Sequence, residues 1–201
     1  TNDNGPGDGI AAGTGHVDGE AVTATGSVST LFSIGADKPG TYQLLTDFTA
    51  LLAQDLTSRG ADLSYEVTLN AGVYTLTATA GAETVFTFTL NATSGAYEFT
   101  LVDQLDHANG NNENNLPINL SSITQVTDDD GDSVTAGENG LIIPVDDDTP
   151  IATDAQVTGT VDEDGVVENA TVGIQKGDGI PGGTGDVAGE VTTVTGSVST
   201  L

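Results

Sequence analysis

Four segments of alternating apolar and polar residues occupy the middle of the chain, and they constrain its fold more than any other feature. In each segment the apolar residues recur at every second position, which is the spacing of side chains on one face of a β-strand. Short stretches rich in Asn, Gly, Ser and Ala separate the segments and favour tight turns. The segments are 63–69, 74–78, 86–90 and 97–101. We therefore expect a meander of antiparallel strands with one buried face.

Other apolar segments on either side of the meander predict further strands. They lie at residues 22–33, 116–120, 123–127 and 141–145. Residues 42–58 allow either a short helix or a strand, because their Leu and Phe residues recur near the helical period. The expected fold is all-β, an antiparallel β-sandwich of Ig-like or cadherin-like type with glycine-rich and acidic loops.

A long internal repeat organises the rest of the sequence. Residues 7–31 align with residues 177–201 at a constant offset of 170, and eighteen of the 25 aligned positions are identical. A match of this extent indicates tandem units of one long repeat. Tandem arrays usually span a distance or display another domain.

Pro150 predicts a boundary between two modules, because proline interrupts a strand ladder and restricts the residue before it. We expect residues 1–150 to form a β-sandwich extender module. Residues 151–201 would then begin the next repeat, with a first strand at 156–161, an acidic turn and a glycine-rich loop. The alternative is that the strand at 156–161 completes the first body.

Acidic residues dominate the charge of the chain: there are thirty of them against three basic ones, for a formal net charge of −27. Nucleic acids and anionic membrane surfaces require clustered Lys and Arg, so neither is an expected partner. No apolar run approaches the ~20 residues of a membrane-spanning helix, so direct membrane insertion is not expected. The chain contains no Cys, which removes disulfides and thiolate metal sites.

The acidic residues are bunched, and this bunching favours cation sites over an evenly solvated acidic surface. Ten of the thirty lie in three runs. Calcium takes six to eight oxygen ligands, which carboxylates and backbone carbonyls of an acidic loop supply. Solvated turns remain the alternative, because Asp and Gly are favoured turn residues. The candidate calcium ligands in these runs are Asp128, Asp130, Asp132, Asp146, Asp147, Asp148, Asp162, Glu163 and Asp164.

Two further hypotheses concern where cations would bind. An ion shared between residues 146–148 and residues 162–164 would stiffen the joint between modules. The polar segment 106–115 adds Asp106 and Glu113 as candidate ligands, and a long solvated connection is the alternative interpretation of that segment. The two histidines, His16 and His107, lie far apart in the sequence, so a zinc site is not expected.

Several short motifs follow one another in a characteristic order. They are residues 97–101, 105–107, 109–110, 113–114, 128–132 and 145–150, then 161–165 with its glycine-rich continuation. In this order they resemble the large tandem repeat of type I-secreted RTX adhesins of Gram-negative bacteria. The resemblance implies an extracellular extender domain in the cell-surface stalk of an outer-membrane-anchored adhesin. Calcium and adjacent repeats of the same chain would be its partners.

Three classes of function compete for such a chain. A spacer that projects a distal ligand-binding region, for surface attachment and biofilm formation, fits the duplication best. A calcium-dependent carbohydrate-binding module is the alternative, but terminal binding domains are usually present once. The enzyme class is disfavoured, because no acid and base with different environments and no nucleophile or phosphate-binding motif stand out. We therefore expect a non-catalytic module without a small-molecule substrate.

Overall fold

The computed structural model describes residues 21–109, 114–147 and 155–159, together with residues 193, 195 and 196. By its internal contacts the chain divides into two units, Thr1–Ile151 and Ala152–Leu201. The strands of the first unit are β1 (Thr23–Ser27), β2 (Thr41–Leu44), β3 (Thr57–Ser58), β4 (Ala61–Asn70), β5 (Val73–Ala80), β6 (Glu83–Asn91), β7 (Ala96–Leu101), β8 (Asn115–Asn119), β9 (Thr124–Thr127), β10 (Ser133–Thr135) and β11 (Ile142–Asp146). All pairings between these strands are antiparallel.

The predicted meander forms the centre of a six-stranded sheet in the order β1-β7-β6-β5-β4-β3. A two-residue turn joins β4 to β5, in which Ala71 and Gly72 have φ of 49° and 79°. Positive φ at both central residues gives the turn a twist that matches that of the strands it joins. Gly81, with φ of 63°, opens the next turn. The prediction of an all-β antiparallel sandwich is confirmed.

The remaining strands form two smaller sheets, ordered β10-β9-β2 and β11-β8. Strand β2 lies against β5 and β6 of the large sheet, which makes the second layer. Residues 42–58 contain both predicted alternatives, because β2 ends at Leu44 and a one-turn helix, α1, follows at Thr49–Leu52. The sequence did not predict β10, which is three residues long and has the exposed Val134 at its centre.

The prediction of one strand over residues 22–33 is wrong beyond Ser27. The side-chain oxygen of Ser27 accepts a hydrogen bond from the backbone N–H of Ser29 at 3.2 Å. This cap starts a 3-10 helix at Val28–Leu31 and ends the strand. The strand predicted at 156–161 is not found over its described part, since residues 155–159 form neither helix nor strand. Its last two residues lie outside the described ranges.

The core lies between the layers and is built around strand β6. Phe86, Phe88 and Leu90 alternate along it and are fully buried. The ring of Phe86 lies 5.1 Å from that of Phe99, centroid to centroid, on the neighbouring strand. Each such side chain contributes roughly 1.5–3 kcal/mol of burial free energy. The core therefore holds the meander in one register, because a slip of one residue would expose the whole row.

Candidate metal centre

The β9–β10 hairpin carries the acidic run 128–132 in its loop. The last strand pair is Thr127 with Ser133, so the five residues between them form the connection. The backbone N–H of Asp128 donates to the carbonyl oxygen of Asp132 at 2.9 Å, which closes the loop at its base. Gly131 has φ of 105°, a conformation that side chains disfavour. The glycine thus allows the chain to turn back within the acidic run.

The Asp128 side chain folds into this loop. Its Oδ1 atom accepts hydrogen bonds from the backbone N–H groups of Gly131, at 3.1 Å, and Asp132, at 2.8 Å. Aspartate favours such loops because its short side chain bonds backbone amides a few residues further on. These bonds fix the orientation of the carboxylate within the loop.

The structure brings three of the predicted ligands together. Asp128, Asp130 and Asp132 each offer a carboxylate oxygen, and these oxygens lie within 4.8 Å of one another. Two ligands on opposite sides of a calcium ion are about 4.6–5.2 Å apart, because each lies about 2.3–2.6 Å from it. The three oxygens can therefore contact one metal ion. Asp128 is half-buried, whereas Asp130 and Asp132 are exposed, so water can supply further ligands.

The carboxyls of Asp128 and Asp130 influence each other's protonation. A hydrogen bond with the side chain of Asp128, together with its negative charge, raises the pKa of Asp130 above the ordinary 3.8. The same side-chain hydrogen bond, assisted by backbone N–H groups, lowers the pKa of Asp128. Two carboxylates this close repel each other when both are ionised. A bound cation would remove that repulsion.

Asp106 lies in a different place and makes a different set of contacts. Its carboxylate accepts hydrogen bonds from the backbone N–H groups of Gly60, at 2.7 Å, and Arg59, at 2.9 Å. It also accepts one from the hydroxyl of Thr57 at 2.8 Å. These bonds, led by the Gly60 N–H, lower the pKa of Asp106. The carboxylate thus caps the β3–β4 turn, in which Arg59 and Gly60 have φ of 52° and 76°.

Asp146 and Asp147 lie at the end of strand β11. The side-chain amide of Asn115 donates to Asp146 Oδ1 on the paired strand. Asp147 Oδ1 lies 3.6 Å from Nδ1 of His107, whose side chain is only 6% exposed. The two nitrogens of that ring are each 3.1 Å from a carbonyl oxygen, those of Leu105 and Val145. His107 thereby connects the segment after β7 to strand β11.

Sequence reasoning missed the roles of Asp106 and His107. The turn amides that bond Asp106 and the Val145 carbonyl that contacts His107 are distant from these two residues in the sequence, so no local pattern indicated these contacts. Among the residues that the structure describes, Asp128, Asp130 and Asp132 are the one group of three or more acidic or histidine side chains close enough to share a metal ion. The other predicted ligands, Glu113, Asp148, Asp162, Glu163 and Asp164, lie outside the described residues.

The candidate metal loop lies within the region matched by a family model. That model carries the description "Domain of unknown function (DUF5801)" and matches residues 12–139, which is more than half of the chain. The chain belongs to the DUF5801 family. The DUF5801 match includes β1 to β10 and the loop of Asp128, Asp130 and Asp132. No curated protein and no solved structure matches the chain. In the described part of this DUF5801 chain, no helix is long and apolar enough to cross a membrane.

Proposed function

We propose that this chain is a non-catalytic, calcium-stiffened extender repeat of a large secreted adhesin, of the type I-secreted RTX kind, on a bacterial cell surface. The observation that carries the proposal is the convergence of three carboxylate oxygens within 4.8 Å on one hairpin loop. Oxygen ligands of this kind suit a hard divalent cation. The proposed partners are calcium and the adjacent repeats of the same chain.

The duplication supports the spacer part of the proposal. Residues 7–31 recur at 177–201, as expected of units arranged in series. A serial array lengthens with each added unit and thereby carries a distal binding region away from the cell surface. The all-β unit suits this role, because its antiparallel sheets give it a core of its own.

The negative charge of the chain supports the calcium-binding part of the proposal. A net charge of −27 makes the chain repel itself, which destabilises a compact state. The neighbouring carboxyls of Asp128 and Asp130 are a local instance, because a hydrogen bond with the Asp128 side chain and then its negative charge raise the pKa of Asp130. Calcium is abundant outside cells, so the folded unit would gain stability after export. The acidic chain would also be less stable before export, where free calcium is scarce.

A thermal unfolding experiment in calcium, in magnesium and in excess chelator tests the metal site. Ligand bound only to the folded state adds about 2.7 kcal/mol when its concentration is 100 times the dissociation constant. We expect calcium to raise Tm by several degrees and magnesium to do much less, because magnesium demands stricter octahedral geometry. The double variant Asp130→Asn/Asp132→Asn should lose most of the calcium shift.

A charge-matched control separates binding at the loop from general charge screening. Glu66 and Glu83 are exposed on strands β4 and β6. The double variant Glu66→Gln/Glu83→Gln removes the same two charges and should keep the full calcium shift. Equal losses in the two double variants, or identical scans in calcium and in chelator, would contradict the proposed site.

A further inference from the structure

Strand β4 is paired along one side but only at its beginning on the other. Its residues from Leu63 to Asn70 all pair with β5. On the opposite side, β3 pairs with only the first two residues of β4. The backbone N–H of Leu63 then donates to the carbonyl oxygen of Leu56 at 3.1 Å. Within the described ranges, no strand pairs with the outer side of residues 64–70.

The hairpin geometry decides which backbone groups of β4 point outward. The two residues that flank the β4–β5 turn form a hydrogen-bonded pair, and such pairs alternate with non-hydrogen-bonded ones along the two strands. The outward bond of Leu63 agrees with this alternation. The N–H and carbonyl groups of Tyr65, Val67 and Leu69 therefore point away from β5. Among the described residues these groups have no hydrogen-bond partner, and the three residues are here called the β4 edge.

Proteins usually protect a free sheet edge by keeping it short or by placing proline, lysine or a bulge on it. Most edge strands of this chain have such protection. Strands β1, β2 and β10 have five, four and three residues, and β8 and β11 contain Pro117 and Pro144. Strand β4 has ten residues, without proline, lysine or glycine. It is therefore the long unprotected edge of the described sheets and is suited to receive another strand.

The side chains of the β4 edge determine one face of the partner. They lie on the core side of the sheet, because the ring of Tyr65 lies 6.3 Å from that of Phe86, centroid to centroid. Val67 is half-buried, and Leu69 is 57% exposed. An added strand with apolar side chains beside these residues removes apolar area from water. The partner therefore needs apolar residues at every second position.

The other face of β4 determines the charge of the partner. Asp62 and Glu66 are exposed there, and the nearby Arg59 is paired with Asp103 at 2.6 Å. Glu66 lies between two residues whose backbone groups point outward, so it takes a non-hydrogen-bonded position towards an added strand, where facing side chains come closest. A basic residue is favoured opposite it. A second copy of the chain is disfavoured, because it would bring together two chains of net charge −27.

We infer that the β4 edge binds an extended segment of another protein, which adds to the six-stranded sheet as a further antiparallel strand. The partner segment alternates apolar residues, which lie opposite the β4 edge, with polar ones, and it carries lysine or arginine opposite Glu66. Main-chain hydrogen bonds supply the affinity, and the side-chain pairs supply the specificity. This interaction goes beyond the proposed function and requires no cation.

Amide hydrogen exchange of the chain alone is the first test. We expect the amides of Tyr65, Val67 and Leu69 to exchange at least about tenfold faster than those of Glu66 and Thr68, whose N–H groups point to β5. Equally slow exchange at all five amides would overturn the inference. It would show that another segment of the chain, or a second copy, already covers the edge.

Two N-methylated peptides then test strand addition. Both have the sequence valine-threonine-valine-lysine-valine, so that the lysine faces Glu66 when the valines face the β4 edge. In the first peptide the threonine and lysine nitrogens are methylated, which leaves free the N–H groups that face β4. In the second peptide the valine nitrogens are methylated instead. We expect only the first peptide to shift the amide NMR resonances of the β4 edge and to slow their exchange, and binding by both peptides or by neither would overturn the inference.

Charge reversal separates the Glu66 pair from the general attraction between a basic peptide and an acidic chain. Glu66→Lys should weaken binding of the first peptide about tenfold and should strengthen binding of its glutamate version. The matched control, Glu98→Lys, makes the same charge change on β7, an interior strand of the same sheet, and should change Kd by less than about twofold. Equal losses in the two variants would overturn the inference. The calcium shift in Tm is measured without peptide, so this failure is distinguishable from failure of the metal site.

Discussion

Replacing Asp106 by Ala distinguishes a structural role from the ligand role that the sequence predicts for it. The carboxylate accepts three hydrogen bonds, from Thr57, Arg59 and Gly60. A hydrogen bond to a charged group contributes about 1.5–3 kcal/mol when its partner is otherwise left without water. Here the two backbone donors are exposed, so water replaces part of the loss. We expect Asp106→Ala to lower the free energy of unfolding by about 2 kcal/mol in total.

This loss is measurable as a change of Tm. One kcal/mol corresponds to roughly 3–5 °C for a domain of this size, so the expected decrease is about 6–10 °C. The same substitution at Asp62, an exposed acid on strand β4, is the matched control and should change Tm by no more than about 2 °C. Thermal scans followed by circular dichroism, run with calcium and with chelator, provide the assay.

The stability loss of Asp106→Ala, compared with and without calcium and at different pH values, decides between the two roles. If Asp106 caps the turn, the loss is the same with calcium and with chelator. A loss seen only with calcium would refute the turn-capping role and restore the ligand role. The pKa of Asp106 is lowered in the folded state, so the unfolded chain takes up the proton first as pH falls. The stabilisation is therefore present above the ordinary pKa of 3.8 and is lost as pH falls through the lowered value.

Three further outcomes follow from the structure. The pKa of Asp130 is raised above the ordinary 3.8 by its hydrogen bond with Asp128 and by that residue's charge, so protons should displace calcium at a pH above this ordinary value. Thermal scans at fixed calcium and decreasing pH should show the calcium-induced increase in Tm fading there. An increase that stays constant down to the ordinary pKa would contradict this. His107→Phe should lower stability by about 1–3 kcal/mol equally with calcium and with chelator in denaturant melts, because it removes the ring nitrogens that lie 3.1 Å from the carbonyl oxygens of Leu105 and Val145. No loss would refute the connecting role of the ring. Phe88→Ala should cost about 3–5 kcal/mol in the same melts, whereas a loss under about 1 kcal/mol would show that β6 is not the centre of the core.

The meander was predictable because its evidence is local. Strands β4 to β7 each alternate apolar and polar residues, and turn residues such as Gly72 and Gly81 stand between them. The Asp128–Asp132 loop was predictable for the same reason, since five consecutive residues carry both the clustered carboxylates and the turn. In both cases the residues that interact are close in the sequence.

The features that sequence did not predict depend on distant partners. Strand β10 is too short to show a period, and it forms because it pairs with β9 across the acidic loop. Gln54 hydrogen-bonds both the N–H and the carbonyl of Asn119, at 2.8 Å each, and so acts as a strand partner 65 positions away. Asp106 was assigned to a metal because it begins a long polar loop with oxygen-rich side chains, yet its partners belong to the β3–β4 turn. Tertiary contacts of this kind cannot be recognised from the residues that neighbour them in the sequence.

Small-angle X-ray scattering of a two-unit protein tests the central claim most directly. Joining residues 1–176 to residues 7–201 keeps the natural 170-residue spacing, because Gly177 aligns with Gly7. A calcium-stiffened extender predicts an elongated particle with a well-defined maximum dimension in calcium, and a flexible one with a broader distance distribution in chelator. Equal dimensions and equal flexibility in the two solutions would contradict the claim that calcium stiffens the array.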